Sequence, residues 1–317
     1  MSMKAVQLLG PQSSPRITLS KDLPAPSPKG TELLIRVHAA GITADEVSWP
    51  ELYKTPSRIP GHDISGIIAS LGPDYAGPFS VGDEVFAMLH ADRGQGQAEY
   101  AVAADEEVAL KPKSISHAEA AALPIPVLTA FEALTKYAKL EKGARILVTG
   151  ASGAVGVMLM QLARKMLDAE VVALASLEKH EYLRGLGAAE VVDYNTPGWE
   201  ESIASVDAVF DTVGGSTLSR SWKVIKSQGS LVTVADPPPT WALGQGDPVE
   251  LKAKPGVRYK YFVLSPDSGA MLKVAKMIDD VEVVPLPVVV FPVSEAVAAW
   301  DAAGKRGRKG KIVIDFA

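Results

Sequence analysis

The chain has 317 residues, of which 47% are hydrophobic and 22% charged, and its formal net charge at pH 7 is −5. A packed globular protein of two domains is expected at this length and composition, and the negative charge is opposite to that of a nucleic-acid-binding surface. The sequence contains no cysteine, which excludes disulfide bonds and thiolate metal ligands.

Neither a signal peptide nor a membrane-spanning helix is predicted. The segment from Met1 to Gly10 lacks the basic and long apolar regions of a secretory signal. No apolar run approaches the roughly 20 residues that are needed to cross a bilayer. We therefore expect a cytoplasmic location and no contact with a membrane or with nucleic acid.

The first part of the chain is predicted to be rich in β-strands. Runs of alternating or β-branched residues cover Lys4–Leu9, Glu32–Ala39 and Ile67–Leu71, and turns rich in proline and glycine separate them. This pattern is typical of a small barrel or sandwich.

Helical patterns begin after Ser116, and from Arg145 onward strands and helices alternate. The predicted strands are Arg145–Thr149, Glu170–Ala175, Glu190–Asp193, Asp207–Asp211, Ser230–Ala235 and Arg258–Val263. The predicted helices are Ala118–Leu123, Leu128–Tyr137, Ala154–Leu167, Glu178–Leu186 and Leu218–Ile225. This alternation predicts right-handed βαβ units and a doubly wound parallel sheet, so the fold class is α/β.

A helix over Ser268–Ile278 and strands over Val288–Pro292 and Lys311–Asp315 follow the last strand of the predicted sheet. The sheet domain is therefore predicted to be an insertion in the first domain. The predicted boundaries are residues 1–122 and 264–317 for the first domain and residues 123–263 for the inserted one.

The turn after the first strand of the sheet carries a dinucleotide-binding fingerprint. It reads Gly-Ala-Ser-Gly-Ala-Val-Gly and runs into a helix, which is the context that this motif requires. Gly153 would let the backbone approach a pyrophosphate, Gly156 would let the helix pack against the strand, and the helix N-terminus would attract the anion. Ala151 stands where the first glycine of the motif is usual. The predicted contacts are Gly150, Ser152, Gly153, Ala154, Val155 and Gly156.

The tip of the second strand favours NADP(H) over NAD(H). NAD sites place an acidic residue about 20 residues after the glycines, where it binds the ribose hydroxyl. Here Ala175 and Ser176 occupy that place. We predict that Ser176, Lys179 and Tyr194 contact a 2′-phosphate, because they offer hydroxyl groups and a cation. A solvated Lys179 and a strand-end aromatic at Tyr194 are the alternative interpretations.

Further motifs are spaced along the chain. They are Ala39–Ile42, Ile59–Gly66, Val81–Val85, Gly96–Tyr100, Ala121–Pro124, Leu128–Phe131, Leu186–Tyr194, Val209–Gly215 and Lys309–Val313. In this order and spacing they resemble the medium-chain dehydrogenase/reductase superfamily, in its zinc-free quinone oxidoreductase branch. The resemblance covers nearly the whole chain.

The resemblance implies more detail of the fold and of the site. The first domain would be a GroES-like β-barrel with the Rossmann domain inserted in it, and an edge strand of the Rossmann sheet would pair two copies into a homodimer. The nicotinamide would lie between the domains. The residues expected to contact it are Thr129, Thr212, Val213, Val234, Phe262 and Val263. An ordinary core position is the alternative for Phe262.

A catalytic zinc is not predicted. Zinc-binding relatives carry a cysteine at the position of Thr43, a histidine followed by glutamate, and a third ligand further along. Here His62 is followed by Asp63, and residues 125–127 offer no ligand. One imidazole does not make a three-ligand site, so His62 is expected to be a structural hydrogen-bonding residue.

Without a metal nothing would polarise a secondary alcohol, so a more electron-poor substrate is expected. We predict an enzyme that transfers hydride from NADPH to a small quinone or α,β-unsaturated carbonyl compound. Tyr53 and Thr43 are the candidate catalytic residues, for protonation or for orienting the oxygen. The match of Tyr53 to the tyrosine of related enoyl reductases is one residue out of register. An enoyl-thioester or polyketide enoyl reductase, and a catalytically weak NADPH-binding redox sensor, are the alternatives.

Overall fold

The computed structural model describes residues 2–317. One unit is made of the described residues up to Leu128 and of Ser265–Ala317, and the other of Thr129–Leu264. The second unit is therefore an insertion in the sequence of the first. The domain boundaries predicted from the sequence fall after residues 122 and 263. In the structure they fall slightly later, after Leu128 and Leu264.

The first part of the chain is mainly antiparallel β-structure. Its elements are β1 (Ser2–Leu9), β2 (Arg16–Pro24), β3 (Leu33–Gly41), β4 (Asp63–Leu71), β5 (Glu84–Met88), β6 (Tyr100–Ala103), β7 (Val108–Leu110), α1 (His117–Ala120) and α2 (Pro124–Glu132). β1 pairs with β2, while β3 to β7 belong to a second sheet. A π-helical turn over Ala133–Tyr137 extends α2.

The second unit has the alternation that the sequence predicts. Its elements are β8 (Arg145–Thr149), α3 (Ala154–Leu167), β9 (Glu170–Ala175), α4 (His180–Gly185), β10 (Glu190–Asp193), β11 (Val206–Asp211), α5 (Gly215–Ser221), β12 (Ile225–Thr233) and β13 (Arg258–Tyr261). The strands are parallel and lie in the order β10-β9-β8-β11-β12-β13. This is the order of a doubly wound nucleotide-binding sheet, so the predicted fold class is confirmed.

Apolar strands explain why this sheet forms. Leu147, Val172, Val209 and Leu231 lie in neighbouring strands and are fully buried, and Trp199 packs in the same cluster. Strands that helices cover on both faces carry near-continuous apolar runs of this kind. Burying each such aliphatic side chain contributes roughly 1.5–3 kcal/mol.

The chain then returns to the first unit. The remaining elements are α6 (Ser268–Asp279), β14 (Val288–Pro292), α7 (Ala296–Ala303) and β15 (Lys311–Asp315). The larger sheet of this unit has the order β14-β15-β3-β4-β5-β7, with β6 paired to β3. Leu33, Ile35 and Ile64 lie in one core cluster of the unit, and Trp300 of α7 lies in another.

Several helix boundaries differ from the prediction, two of them by four residues. The helix predicted over Leu218–Ile225 ends at Ser221 as α5, and a 3-10 turn leads to β12, which already begins at Ile225. The helix predicted to begin at Leu128 begins four residues earlier, at Pro124. Proline suits the first turn of a helix, because its φ is already helical and its missing N–H would have no partner there.

The prediction that no apolar run approaches the length of a membrane span is wrong. Among the described residues, His117–Tyr137 is long and apolar enough to cross a membrane by length and composition. However, 78% of the 18-residue apolar segment within this stretch is buried inside the protein, as in the core helix of a globular domain.

Candidate functional site

The glycine-rich turn joins β8 to α3 at the carboxyl edge of the parallel sheet. Gly150 has a φ of +60°, in the left-handed region that favours glycine. α3 begins at Ala154 after the extended Gly153, and no side chain of the described residues caps its N-terminus. The first N–H groups of the helix have no partner within it, so those of Ala154 and Val155 can bind an anion.

Close packing accounts for two glycines of this turn. A Cβ at Gly156 would lie 2.7 Å from the Cα of Ala151, so a side chain there would push α3 away from the turn. A Cβ at Gly150 would collide with the hydroxyl of Thr212, which follows β11. The turns after β8 and β11 are therefore in contact, and the free N–H groups beside them suit the pyrophosphate of a dinucleotide.

A buried carboxylate, which the sequence analysis missed, ties the strand ends together. Asp211 is the last residue of β11 and is 1% exposed. It accepts hydrogen bonds from the hydroxyls of Thr149 in β8 at 2.6 Å and Thr233 in β12 at 2.7 Å, and from the N–H groups of Val213 and Gly214. An aspartate at the carboxyl end of an apolar strand is the signal in the sequence that could have identified it.

Ser176, Lys179 and Tyr194 lie at the tips of neighbouring strands. Ser176 follows β9 directly, and Lys179 ends the 3-10 turn after it. Tyr194 follows β10, and its N–H donates to the carbonyl of Ala175 at 3.3 Å, beside the β9 tip. The Lys179 ammonium lies 3.8 Å from the carboxylate of the exposed Glu178. The structure thus brings the three predicted residues to one corner of the sheet.

Four of the residues predicted near the nicotinamide lie beside Asp211 or on the surface. Val213 is 49% exposed in the turn after β11, and Val263 is 67% exposed two residues after the end of β13. The N–H of Val234 donates to the Asp211 carbonyl at 3.0 Å. Thr212 lies next to Val213, and its hydroxyl donates to the Thr149 carbonyl at 3.0 Å.

The other two predicted residues are buried. Phe262 is 5% exposed, and its ring centroid lies 4.8 Å from that of Tyr137 in the π-helical turn. Thr129 is 3% exposed within α2. The aromatic contact agrees with the alternative interpretation of Phe262 as a core residue.

In the first unit, the segment between β3 and β4 holds a buried acid–base pair. Glu46 and His62 are 1% and 4% exposed, and Glu46 Oε1 lies 2.9 Å from His62 Nδ1. The same oxygen accepts the N–H of Gly61, and the rings of Trp49 and His62 lie 5.2 Å apart. Burial lowers the pKa of His62, but the Glu46 carboxylate, with smaller help from the Ala91 carbonyl and Asp63, outweighs it, so that pKa lies above its ordinary value. His62 is thus engaged by a neighbouring side chain.

The two candidate catalytic residues lie on this same segment. The hydroxyl of Tyr53 donates to the carbonyl of Val47 at 2.7 Å, and the Arg58 guanidinium lies 5.6 Å from the centre of its ring. Burial raises the pKa of Tyr53, and the charge of Arg58 offsets this only in part. The carbonyl of Thr43 accepts the N–H of Glu46 at 3.1 Å and so starts a 3-10 turn.

The donor groups in this region do not fit a catalytic zinc. Thr43 has no metal-binding nitrogen or thiolate, and the imidazole of His62 is engaged by Glu46. Asp63 accepts the N–H of Ile125 at 2.8 Å and pairs with a buried lysine, Lys311. Among residues 2–317, no three His, Cys, Asp or Glu side chains are grouped so that they could hold a metal, whereas a zinc site needs three or four.

The inserted doubly wound sheet and its phosphate-binding turn define a dinucleotide-binding protein of the dehydrogenase type. Family models match in two ranges of the chain. The model described as the alcohol dehydrogenase GroES-like domain matches residues 29–121, and the model described as zinc-binding dehydrogenase matches residues 186–314.

Similar proteins have been named as oxidoreductases. The probable zinc-binding oxidoreductase, mitochondrial, of Arthroderma benhamiae is 30% identical over 322 residues, which cover 96% of this chain and 95% of that protein. The NAD(P)H oxidoreductase RTN4IP1, mitochondrial, of Mus musculus is 31% identical over 90% of this chain and 81% of that protein. The solved quinone oxidoreductase from Coxiella burnetii superposes with a TM-score of 0.87 at 27% identity and covers 100% of both chains.

The chain therefore belongs to the medium-chain dehydrogenase/reductase superfamily. It is an oxidoreductase that uses a nicotinamide cofactor on a small-molecule substrate. Its first unit is the GroES-like domain that the resemblance implied.

The prediction of a cytoplasmic location is contradicted. Both relatives described above are named as mitochondrial proteins. The prediction was based on composition and on the first ten residues, and neither reports where a folded oxidoreductase of this family works.

Proposed function

We propose that this chain transfers hydride from NADPH to a quinone or an α,β-unsaturated carbonyl compound without zinc. The observation that carries the proposal is the donor set around His62, where Glu46 engages the imidazole and the described residues bring no third metal ligand. Without a Lewis acid nothing stabilises the oxygen of an alcohol as it loses its proton, whereas an electron-poor carbon accepts hydride with less help.

The second unit would hold the cofactor. The pyrophosphate would lie at the N-terminus of α3, against the N–H groups of the turn from Ser152 to Val155. Lys179 and the hydroxyls of Ser176 and Tyr194 would bind the 2′-phosphate, which a carboxylate at the β9 tip would repel. When bound, NADPH supplies the hydride.

The protein must also orient the substrate oxygen and deliver a proton. We assign the orientation of the substrate oxygen to Thr43 and the delivery of the proton to Tyr53. The raised pKa of Tyr53 keeps its hydroxyl protonated, but this hydroxyl must first leave the Val47 carbonyl. A Tyr53→Phe protein that turns over at the wild-type rate would remove Tyr53 from the mechanism.

We also propose a homodimer formed through an edge strand of the second unit. β10 and β13 are the edges of its sheet, and an edge strand offers unpaired backbone groups to a second copy. A solution mass of one chain, measured by light scattering, would contradict this assignment.

The test of the proposed function is the oxidation of NADPH in a stopped-flow instrument with quinones, enones, enoyl thioesters and simple ketones. We expect turnover with quinones or enones, and slower turnover with NADH. Turnover restricted to enoyl thioesters would instead support a thioester enoyl reductase. Tight NADPH binding with weak turnover on every acceptor would support a redox sensor, and either result would contradict the proposal.

A further inference from the structure

We propose that Asp211 is a positioning residue for the nicotinamide nucleotide. Its buried carboxylate fixes the glycine-rich turn after β8 relative to the turn after β11. The inference rests on the proposed function, because it gives these two turns a role in NADPH binding. Asp211 would act through Gly150 and Val213 rather than by touching the substrate.

The carboxylate reaches three strands at once. Its Oδ1 accepts the Thr149 hydroxyl of β8 at 2.6 Å, and its Oδ2 accepts the Thr233 hydroxyl of β12 at 2.7 Å. The N–H groups of Val213 and Gly214, in the turn after β11 itself, donate at 3.0–3.3 Å. All of these donors are uncharged, and a buried carboxylate is stable only while such donors surround it.

The same groups also join the two turns directly. The Thr149 hydroxyl, which donates to Asp211, accepts the N–H of Thr212 at 3.1 Å, and the Thr212 hydroxyl donates to the Thr149 carbonyl at 3.0 Å. Gly150 follows Thr149 in the chain, and Val213 follows Thr212. The carboxylate therefore sets the separation between the start of the phosphate-binding turn and the exposed side chain of Val213.

Two substitutions disturb this cluster to different degrees. In Asp211→Asn, one oxygen can keep the bond from Thr149, but the amide turns an N–H toward the hydroxyl of Thr233, which already accepts the N–H of Ala235 at 3.2 Å. Asp211→Ala removes the acceptor of every donor. Asp211→Ala should therefore weaken NADPH binding more than Asp211→Asn does.

β11 offers a matched control at its other end. Asp207 accepts the N–H of Arg145 at 2.9 Å and pairs with Lys226 at 2.7 Å, so it also ties β11 to β8. It lies near the amino end of the strand, whereas nucleotides bind at the carboxyl ends of parallel strands. Asp207→Ala therefore measures how much a carboxylate in this strand contributes to stability when it has no part in nucleotide binding.

The experiment compares wild-type, Asp211→Ala, Asp211→Asn and Asp207→Ala proteins. Thermal unfolding measures stability, and fluorescence titration measures the affinity for NADPH. The affinity for adenosine 2′-monophosphate, which carries the 2′-phosphate but no pyrophosphate, is measured by competition.

We expect Asp211→Ala to weaken NADPH binding about tenfold or more, equivalent to about 1.4 kcal/mol, and to change the affinity for adenosine 2′-monophosphate by less than about twofold. Asp211→Asn should fall between this protein and the wild type. Asp207→Ala should lower the melting temperature and leave both affinities unchanged.

Equal losses for both nucleotides, or the same loss of NADPH affinity in Asp207→Ala, would overturn the proposal, because Asp211 would then act on stability alone. If Asp211→Ala does not fold, Asp211→Asn decides: a selective loss supports the proposal and an unchanged NADPH affinity overturns it. Failure of the proposed function is distinguishable, because a wrong hydride acceptor leaves these binding measurements unaffected, whereas a wrong nucleotide appears as a preference of the wild-type protein for NADH. The same comparison would in that case use NADH and adenosine monophosphate.

Discussion

The charge on one residue at the β9 tip bears directly on the choice of nicotinamide nucleotide. Lys179 lies in the turn that follows Ser176, next to the strand tip that carries Tyr194. A phosphate dianion gains a charge-assisted hydrogen bond from an ammonium group at such a place, whereas a ribose hydroxyl gains much less. Lys179 should therefore contribute to the affinity for NADPH and not to the affinity for NADH.

We expect Lys179→Ala to weaken NADPH binding about tenfold, since a charge-assisted hydrogen bond contributes roughly 1.5–3 kcal/mol. NADH binding should stay unchanged, and the measurement is the Kd of each nucleotide by titration. Lys142→Ala, which removes an exposed lysine before β8, is the control. Equal losses for the two nucleotides would show that Lys179 does not contact the 2′-phosphate.

At the scale of single residues, the sequence predicts contacts that are local in the chain. The glycine-rich turn was found because its spacing and its helix lie together in one short stretch. Asp211 was missed because its partner Thr149 lies 62 residues away, and nothing in one sequence pairs them. Glu46 and His62, 16 residues apart, were not paired for the same reason.

At the scale of elements, one ion cluster joins the turn before β11 to α5 and the turn after it. Glu200 is 7% exposed and accepts hydrogen bonds from Arg220 at 2.5 and 2.8 Å and from Lys223 at 2.9 Å. These bonds, with those from Arg220 the strongest, lower the pKa of Glu200 from 4.5 to about 2. The folded protein therefore stabilises the ionised carboxylate of Glu200 relative to the unfolded chain.

Glu200→Gln should lower the free energy of unfolding by roughly 2 kcal/mol at neutral pH. Because the folded-state pKa is depressed, this contribution is complete above the unfolded value of 4.5 and disappears as the pH falls through about 2. Urea unfolding of both proteins across this range measures the difference. Glu201→Gln, at an exposed neighbour, is the control. A difference that stays constant down to the lowest pH would contradict the assignment.

Apolar strands that alternate with helices were predicted well, whereas an alanine-rich helix and several strands of the first unit were not. The strands of the second unit are apolar runs bounded by helices, so β8 and β9 match their predicted bounds. α7 was missed, since its alanines carry little contrast between a buried and an exposed face. The strands β5 to β7 are 3–5 residues long and no α-helix separates them, so no change of periodicity marks their ends.

At the scale of the whole molecule, the order of elements predicted the insertion of one unit in the other. Antiparallel strands on both sides of a βαβ series can belong to one unit only if the chain returns to it, and β15 indeed pairs with β3. The cellular location was predicted wrongly, because amino-acid composition does not specify the compartment in which a protein works. The substrate is a property of side chains brought together from many segments, so one sequence leaves it open.

The most direct test of the account is the turnover of metal-depleted protein. The purified protein is dialysed against a chelator, its zinc content is measured by atomic absorption, and the oxidation of NADPH by a quinone is followed. We expect the undiminished rate at substoichiometric zinc, because Glu46, rather than a metal, holds His62. A rate that falls with the zinc content and returns when zinc is added would contradict the account.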